Sequence, residues 1–144
     1  SNTRSAIENI REGVKGRREN YSIIVFPEGT RSNDSQGLKT FKKGCMHIAM
    51  EAGIPIVPIG QNGARTHASG KDLILKKGSP IFFDVGTTIP TNKWTLDKAQ
   101  EQIGILHEEV KNLIAKAKTK REKTLESRKK ENHLKDDRFS TKTL

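Results

Sequence analysis

One cysteine, one tryptophan and one tyrosine occur among 144 residues, and aromatics make up only 5% of the chain. A single thiol, Cys45, excludes an internal disulfide, and no Cys/His spacing suits a metal site. A reducing, cytoplasmic setting fits, and no metal or resident cofactor is expected. No apolar run approaches the ~20 residues of a spanning helix. Neither GxxxxGK[ST] nor GxGxxG occurs, so a nucleotide site has no support. Aromatic residues do not interleave with basic ones, so no nucleic-acid partner is expected either. The N-terminus has no leader-like apolar stretch. The chain starts at Ser1 with a helix-like pattern already running by Ala6, and so reads as a fragment or processed piece. Any segment of a parent protein that enters a membrane would lie upstream.

What is plentiful is positive charge. Lys and Arg number 27 against 17 Asp and Glu, a net +10. Residues 115–144 hold 11 Lys/Arg and 5 Asp/Glu, so this tail supplies +6 of the total. Such a tail can face anionic lipid headgroups, nucleic acid or water. The plain reading is a solvated helix extension that frays into disorder.

The length suffices for one domain with a modest core. Residues 2–14 read as a helix, with Ser5 and Glu8 at capping-box spacing and Ala6, Ile7, Ile10 and Val14 as its apolar stripe. Tyr21 to Phe26 reads as a strand, apolar on both faces and therefore central in a sheet. Pro27, which has no N–H for a ladder, ends it. Lys42 to Ala52 reads as a helix stopped by Gly53 and Pro55. Ile54 to Ile59 is a second buried strand. Leu73–Leu75 and Ile81–Val85 form two more, as a hairpin around Lys77-Gly78-Ser79. A long helix follows from Thr95, with Leu96, Ala99, Ile103, Leu106, Val110, Leu113 and Ala117 on one face. Past Lys118 the stripe dies away. Strand, helix and strand in close order predict an α/β fold: a central mixed or parallel sheet with flanking helices, then a long C-terminal helix and the basic tail. The expected division is 1–117 for the domain and 118–144 for the tail.

The polar loop after the first strand carries the chemistry. Holding a phosphate monoester takes a fork of donors, positive charge and room for backbone to approach. Arg31 offers the fork. Gly29 permits a tight turn and a bare N–H. Thr30 and Ser32 can donate hydroxyls. Lys42 and Lys43 open a helix whose N-terminus favours anions. Glu28, odd beside a phosphate, could orient Arg31 or accept from a substrate hydroxyl. Composition alone leaves open a surface turn in which Glu28 and Arg31 pair with each other.

Phe26-Pro27-Glu28-Gly29-Thr30-Arg31-Ser32 resembles the third signature block of the PlsC-type glycerolipid acyltransferases, the lysophosphatidate acyltransferase family. Phe41-Lys42-Lys43-Gly44 resembles that block's continuation, and Gly53-Ile54-Pro55-Ile56-Val57-Pro58-Ile59 the fourth block. Residues 1–6 resemble those just after the second block. The match runs in order to about Gly60 and more loosely to about Ile114. The resemblance implies a glycerolipid acyltransferase-like fold. The implied activity is transfer of a fatty acyl group from acyl-CoA or acyl carrier protein to 1-acylglycerol-3-phosphate, making phosphatidate. Glu28, Gly29, Thr30, Arg31, Ser32, Lys42 and Lys43 would hold the acceptor's phosphate. Phe26, Pro27, Ile56, Val57 and Pro58 would wall the acyl or acceptor site. The implied partners are a glycerophospholipid acceptor, an acyl donor and a membrane surface, with the enzyme on the cytoplasmic face. The family's general base is the His of an H-x4-D motif, held by its Asp.

That motif belongs upstream of Ser1, so no catalytic residue is expected in this chain, and this piece alone is expected to be inactive. His67 and Asp72 do have H-x4-D spacing. They follow the phosphate block instead of preceding it, and stand only as a secondary pair. His47, His107 and His133 read as surface or helix-packing histidines. The alternative function is a non-catalytic module binding anionic lipid or glycerophosphate through the same Arg31 and lysine chemistry.

Overall fold

Gly53 ends the first described helix by adopting a left-handed backbone, φ 65°, that most residues avoid. The computed structural model describes residues 8, 12, 22–30, 37–64 and 79–140, without the side chains of 52 and 132–140. Its chain divides into two compact units: Ser1–Pro58 with Gly86–Lys111, and Ile59–Val85 with Asn112–Leu144. Glu8 and Glu12 are helical and exposed, in keeping with the N-terminal helix at those two positions.

In the first unit, helix α1 (Gly44–Ala52) is the helix expected over Lys42–Ala52. At its end the Gly53 amide donates to the Met50 carbonyl at 3.3 Å and the Ile54 amide to the Ala49 carbonyl at 3.1 Å. Thr91 then closes the cap from a distant part of the chain. Its buried hydroxyl donates to the Ile54 carbonyl at 2.9 Å. Ile56 and Ile89 exchange antiparallel backbone bonds of 2.9 and 2.8 Å. The core joins Phe41 and Met46 to Ala99, Ile103 and Leu106 from the long helix. Leu38, Met50, Ile56, Ile89, Trp94 and Val110 pack against that cluster.

In the second unit, β1 (Ile59–Asn62) pairs antiparallel with β2 (Phe82–Val85), with Gly60 opposite Asp84 and Asn62 opposite Phe82. Helix α2 (Ala99–Ser140) supplies the unit's remaining described part from Asn112 onward. Leu113 and Ala117 are its buried residues here. Gly60 lies so close under α2 that a Cβ there would collide with the backbone of Leu113 and Ile114. Arg121 donates through Nε to the Pro80 carbonyl and through Nη2 to Ser79 Oγ, each at 3.2 Å. Lys120 pairs with Asp84. The basic segment past Lys118 is therefore not merely solvated at its start, because two of its cations bond to β2 and to the residues just before it. Its helix continues to Ser140.

Several sequence expectations need correction. Residues 22–26 are in no ladder, and Ile24 and Phe26 are 84% and 79% exposed, so this run is not a buried central strand among the described residues. Ile54–Ile59 is not a buried strand either. Val57 and Ile59 are exposed, and regular pairing begins only at Ile59. Pro58, lacking an N–H, precedes that start, and Ile56 makes a single bridge. The predicted strand at Ile81–Val85 is present as β2, but its described partner is β1. Leu73–Leu75, Lys77 and Gly78 lie outside the described residues. The described pairing is a small antiparallel sheet, mixed with helix, so the class is mixed α/β without a described parallel sheet. Leu96 precedes α2 and is 63% exposed, so it does not join the helix's apolar face. Among the described residues no helix is long and apolar enough to cross a membrane.

Candidate phosphate-binding site

The loop after the apolar run is a tight turn. The Gly29 amide donates to the Phe26 carbonyl at 3.0 Å, and Gly29 itself has φ 69°. Two further bonds tie this turn to residues some dozen positions on. The Lys42 amide donates to the Pro27 carbonyl at 2.8 Å. The Lys39 amide donates to Glu28 Oε2, also at 2.8 Å. The half-buried Glu28 thus spends one carboxylate oxygen on the backbone, and in doing so closes the loop between 28 and 39.

That closure places Lys42 against Gly29. A Cβ built on Gly29 would lie 2.8 Å from Lys42 Nζ and Cε. Only glycine leaves room for the ammonium stem there. The turn's exposed Gly29 and Thr30 therefore share their surface with a cation from the second motif.

Helix α1 begins immediately afterwards. Lys43 stands at its N-cap, no side chain caps the first amides, and the first turn contains no acid. A helix N-terminus carries partial positive charge, and exposed Lys42 and Lys43 add two full charges to it. Phe41 anchors this start from below. It is buried, and its ring meets His107 edge-on at 4.9 Å between centroids. His107 is accordingly a packing histidine.

Cys45 sits in the same first turn. Burial pushes its thiol pKa up, partly opposed by backbone hydrogen bonds from Met46 and its own amide. Its Sγ lies 3.4 Å from the Lys42 carbonyl, to which the thiol donates. The helix N-terminus alone would favour a thiolate, so desolvation is the stronger effect.

The structure thus brings Glu28, Gly29 and Thr30 to Lys42 and Lys43 within one unit. Arg31 and Ser32 lie outside the described residues, as do His67 and Asp72. Among the wall residues, Phe26 is open and Pro27 half-buried, while Ile56 turns into the core, Val57 is exposed and Pro58 is buried. Sequence reasoning missed the Glu28–Lys39 bond and the support of Phe41 by His107. The only hint of the latter was a lone aromatic placed directly before two lysines at a helix start.

Comparison with known proteins agrees with this arrangement of motifs. The profile of the family described as Acyltransferase matches residues 1–62. A 1-acyl-sn-glycerol-3-phosphate acyltransferase of Limnanthes alba is 40% identical over 121 residues, covering 82% of this chain and 42% of the relative. The enzyme of that name from Saccharomyces cerevisiae is 35% identical over 103 residues, covering 70% and 34%. Among solved structures, the crystal structure of the 1-acyl-sn-glycerophosphate acyltransferase PlsC from Thermotoga maritima superposes with a TM-score of 0.63 at 27% identity. That likeness covers 76% of this chain and 44% of the PlsC chain. The chain therefore spans less than half the length of these relatives. Across the residues they share, this chain is a member of the PlsC-type glycerolipid acyltransferase family.

Proposed function

We propose that this chain is the acceptor-phosphate-binding part of an enzyme that acylates 1-acylglycerol-3-phosphate to phosphatidate. The observation that carries the reading is the Lys42 side chain laid on Gly29 at the uncapped start of α1. Arg31 and Ser32 follow Thr30 in the sequence and, with Lys43, complete the donor set of this reading. In the reaction, the acceptor's hydroxyl oxygen attacks the thioester carbonyl of acyl-CoA or an acyl carrier protein. The hydroxyl proton passes to a histidine base, the C–S bond breaks, and the thiolate leaves with a proton. The base belongs to the half of the enzyme that these residues do not span, so this piece alone is inactive. No resident cofactor takes part.

This chain's share is binding and orientation. The phosphate clamp fixes one end of the acceptor, and Phe26, Pro27, Val57 and their neighbours line the way to its acyl portion. In the whole enzyme, residues 22–26 join a central mixed or parallel sheet. Residues 1–117 belong to the acyltransferase domain, and the basic residues of 118–144 face anionic headgroups. The enzyme works at the cytoplasmic face of a membrane, where its substrate and product reside.

The test is calorimetric binding of glycerol 3-phosphate to the chain and its variants. Arg31→Ala should weaken binding about tenfold, the loss of one charge-assisted fork, whereas Lys129→Ala, a charge on the exposed tail, leaves it unchanged. Equal losses from both would make bulk charge the binder and sink the reading.

A further inference from the structure

Lys42 carries its charge on a flexible stem, so the ammonium is placed only as well as the backbone beneath it. That backbone is fixed from two sides. The Lys42 amide is bonded to the Pro27 carbonyl at 2.8 Å, and the preceding residue, Phe41, is buried. Phe41 shares its cluster with Ile103 and Leu106 of α2, whose aliphatic side chains fill space without preferring any angle of its ring. His107 does prefer one. It stands one turn beyond Ile103 on the same face of α2. Its imidazole meets the Phe41 ring at 65° with centroids 4.9 Å apart, the edge-to-face geometry that aromatic pairs favour. The imidazole has no polar task to compete with this contact. Its Nδ1 is 3.7 Å from Glu108 Oε1, beyond hydrogen-bond reach, and among the described residues the ring has no hydrogen bond.

We propose that His107 is a positioning residue for the acceptor's phosphate: its edge-on imidazole orients Phe41, and Phe41 sets the angle at which Lys42 crosses Gly29. This rests on the reading proposed above and adds to it a residue of α2 that belongs to none of the phosphate motifs. Without the imidazole the Phe41 ring can tilt, and the Lys42 backbone tilts with it. The Lys42 amide then loosens from Pro27, and the ammonium lifts from Gly29. What matters at position 107 is the shape of a flat ring, because the neighbour it meets is itself an apolar ring.

The test separates binding from stability in the full chain. His107→Ala should weaken glycerol 3-phosphate binding about fivefold, through the loss of one aromatic pair, and His107→Phe should restore it. Leu113→Ala opens a cavity beside α2 outside this cluster, so it should lower the melting temperature and leave binding as it is. In a Lys42→Ala background, adding His107→Ala should weaken binding no further, because both changes act through one ammonium. Hydrogen exchange at the Lys42 amide needs no ligand. It should quicken in His107→Ala and return to the parent rate in His107→Phe. Four results would each overturn the positioning role: unchanged binding in His107→Ala, no rescue by His107→Phe, an equal loss from Leu113→Ala, or additive losses with Lys42→Ala. If Arg31→Ala still weakens binding in that case, the functional reading stands without His107. If exchange at Lys42 follows the ring at position 107 while binding is indifferent to Arg31, the hold of His107 on Lys42 stands and the functional reading falls.

Discussion

Lys42 lies across Gly29, with its Nζ and Cε 2.8 Å from the point where a Cβ would stand. Two sequence motifs separated by a polar loop are thereby one surface, and the missing side chain of one makes room for the charge of the other. Gly29→Ala should fail twice. A left-handed backbone costs a non-glycine residue about 1–2 kcal/mol, and the new methyl displaces the Lys42 stem. The expected outcome is a lower melting temperature together with weaker glycerol 3-phosphate binding. Lys42→Ala in the same background should restore neither. A Gly29→Ala variant with unchanged binding would show that the close approach has no part in the site.

Glu28 gives a test of loop closure that is separate from phosphate chemistry. Its carboxylate accepts the Lys39 amide. Glu28→Ala removes that acceptor and should cost about 1 kcal/mol. Glu28→Gln keeps an acceptor oxygen in place and should recover most of the loss. Hydrogen exchange at the Lys39 amide is the direct readout: fast in the alanine variant, close to the parent in the glutamine variant. If both variants exchange alike, the bond does not hold the loop.

How much of this was readable beforehand follows from what kind of interaction each feature uses. The stripe from Ala99 to Ala117 was legible because burial repeats every three to four residues along α2, and the residues it names at Ile103, Leu106 and Leu113 are buried. Leu96 misled because it continues that spacing one turn too early, outside the helix. The helix beyond Lys118 has no stripe, and its start is held by Lys120 and Arg121 reaching Asp84, Pro80 and Ser79. The phosphate motifs were legible as strings of residue types. Their joining was not, because the Lys39 and Lys42 amides that make it are backbone groups that every non-proline residue has. The β1–β2 pairing was hidden for the same reason, and the apolar residues Ile54, Ile56, Val57 and Ile59 made the wrong segment look like the strand although Pro55 and Pro58 interrupt it. Residues 23–26 keep the pattern of a central strand while standing exposed, which is why pattern alone misplaced them.

Two glycines without positive φ should respond in opposite directions to the same substitution. Gly60 faces the backbone of Leu113 and Ile114, so Gly60→Ala forces β1 and α2 apart and should destabilise by about 1–3 kcal/mol. Gly104 sits within α2 with nothing within 4 Å of a new Cβ, so Gly104→Ala should stabilise by about 0.5–1 kcal/mol through helix propensity. Thermal unfolding of the two variants checks both signs. Two stabilising shifts would mean that β1 does not pack on α2 as closely as the structure places it, and two destabilising ones that the site of Gly104 is not open to a side chain.

Cys45 supplies the pH dependence. Its thiol is held protonated by burial, with the folded pKa raised above the ordinary value. A group raised in this way contributes stability that is present below the unfolded pKa and is lost as pH rises through the folded one. The unfolded chain releases its thiol proton first, so the loss begins on the alkaline side of neutrality and does not touch the acid side. Cys45→Ser should therefore flatten the alkaline fall of the melting temperature while leaving the acid limb as it was. Alkylation should report the same raised pKa: the folded chain's thiol should react more slowly than a free thiol at neutral pH, and the two rates should converge as the solution is made more alkaline. A folded thiol that reacts faster than the free one at neutrality would mean that the N-terminus of α1, with Lys42 and Lys43 beside it, outweighs the burial of the sulfur.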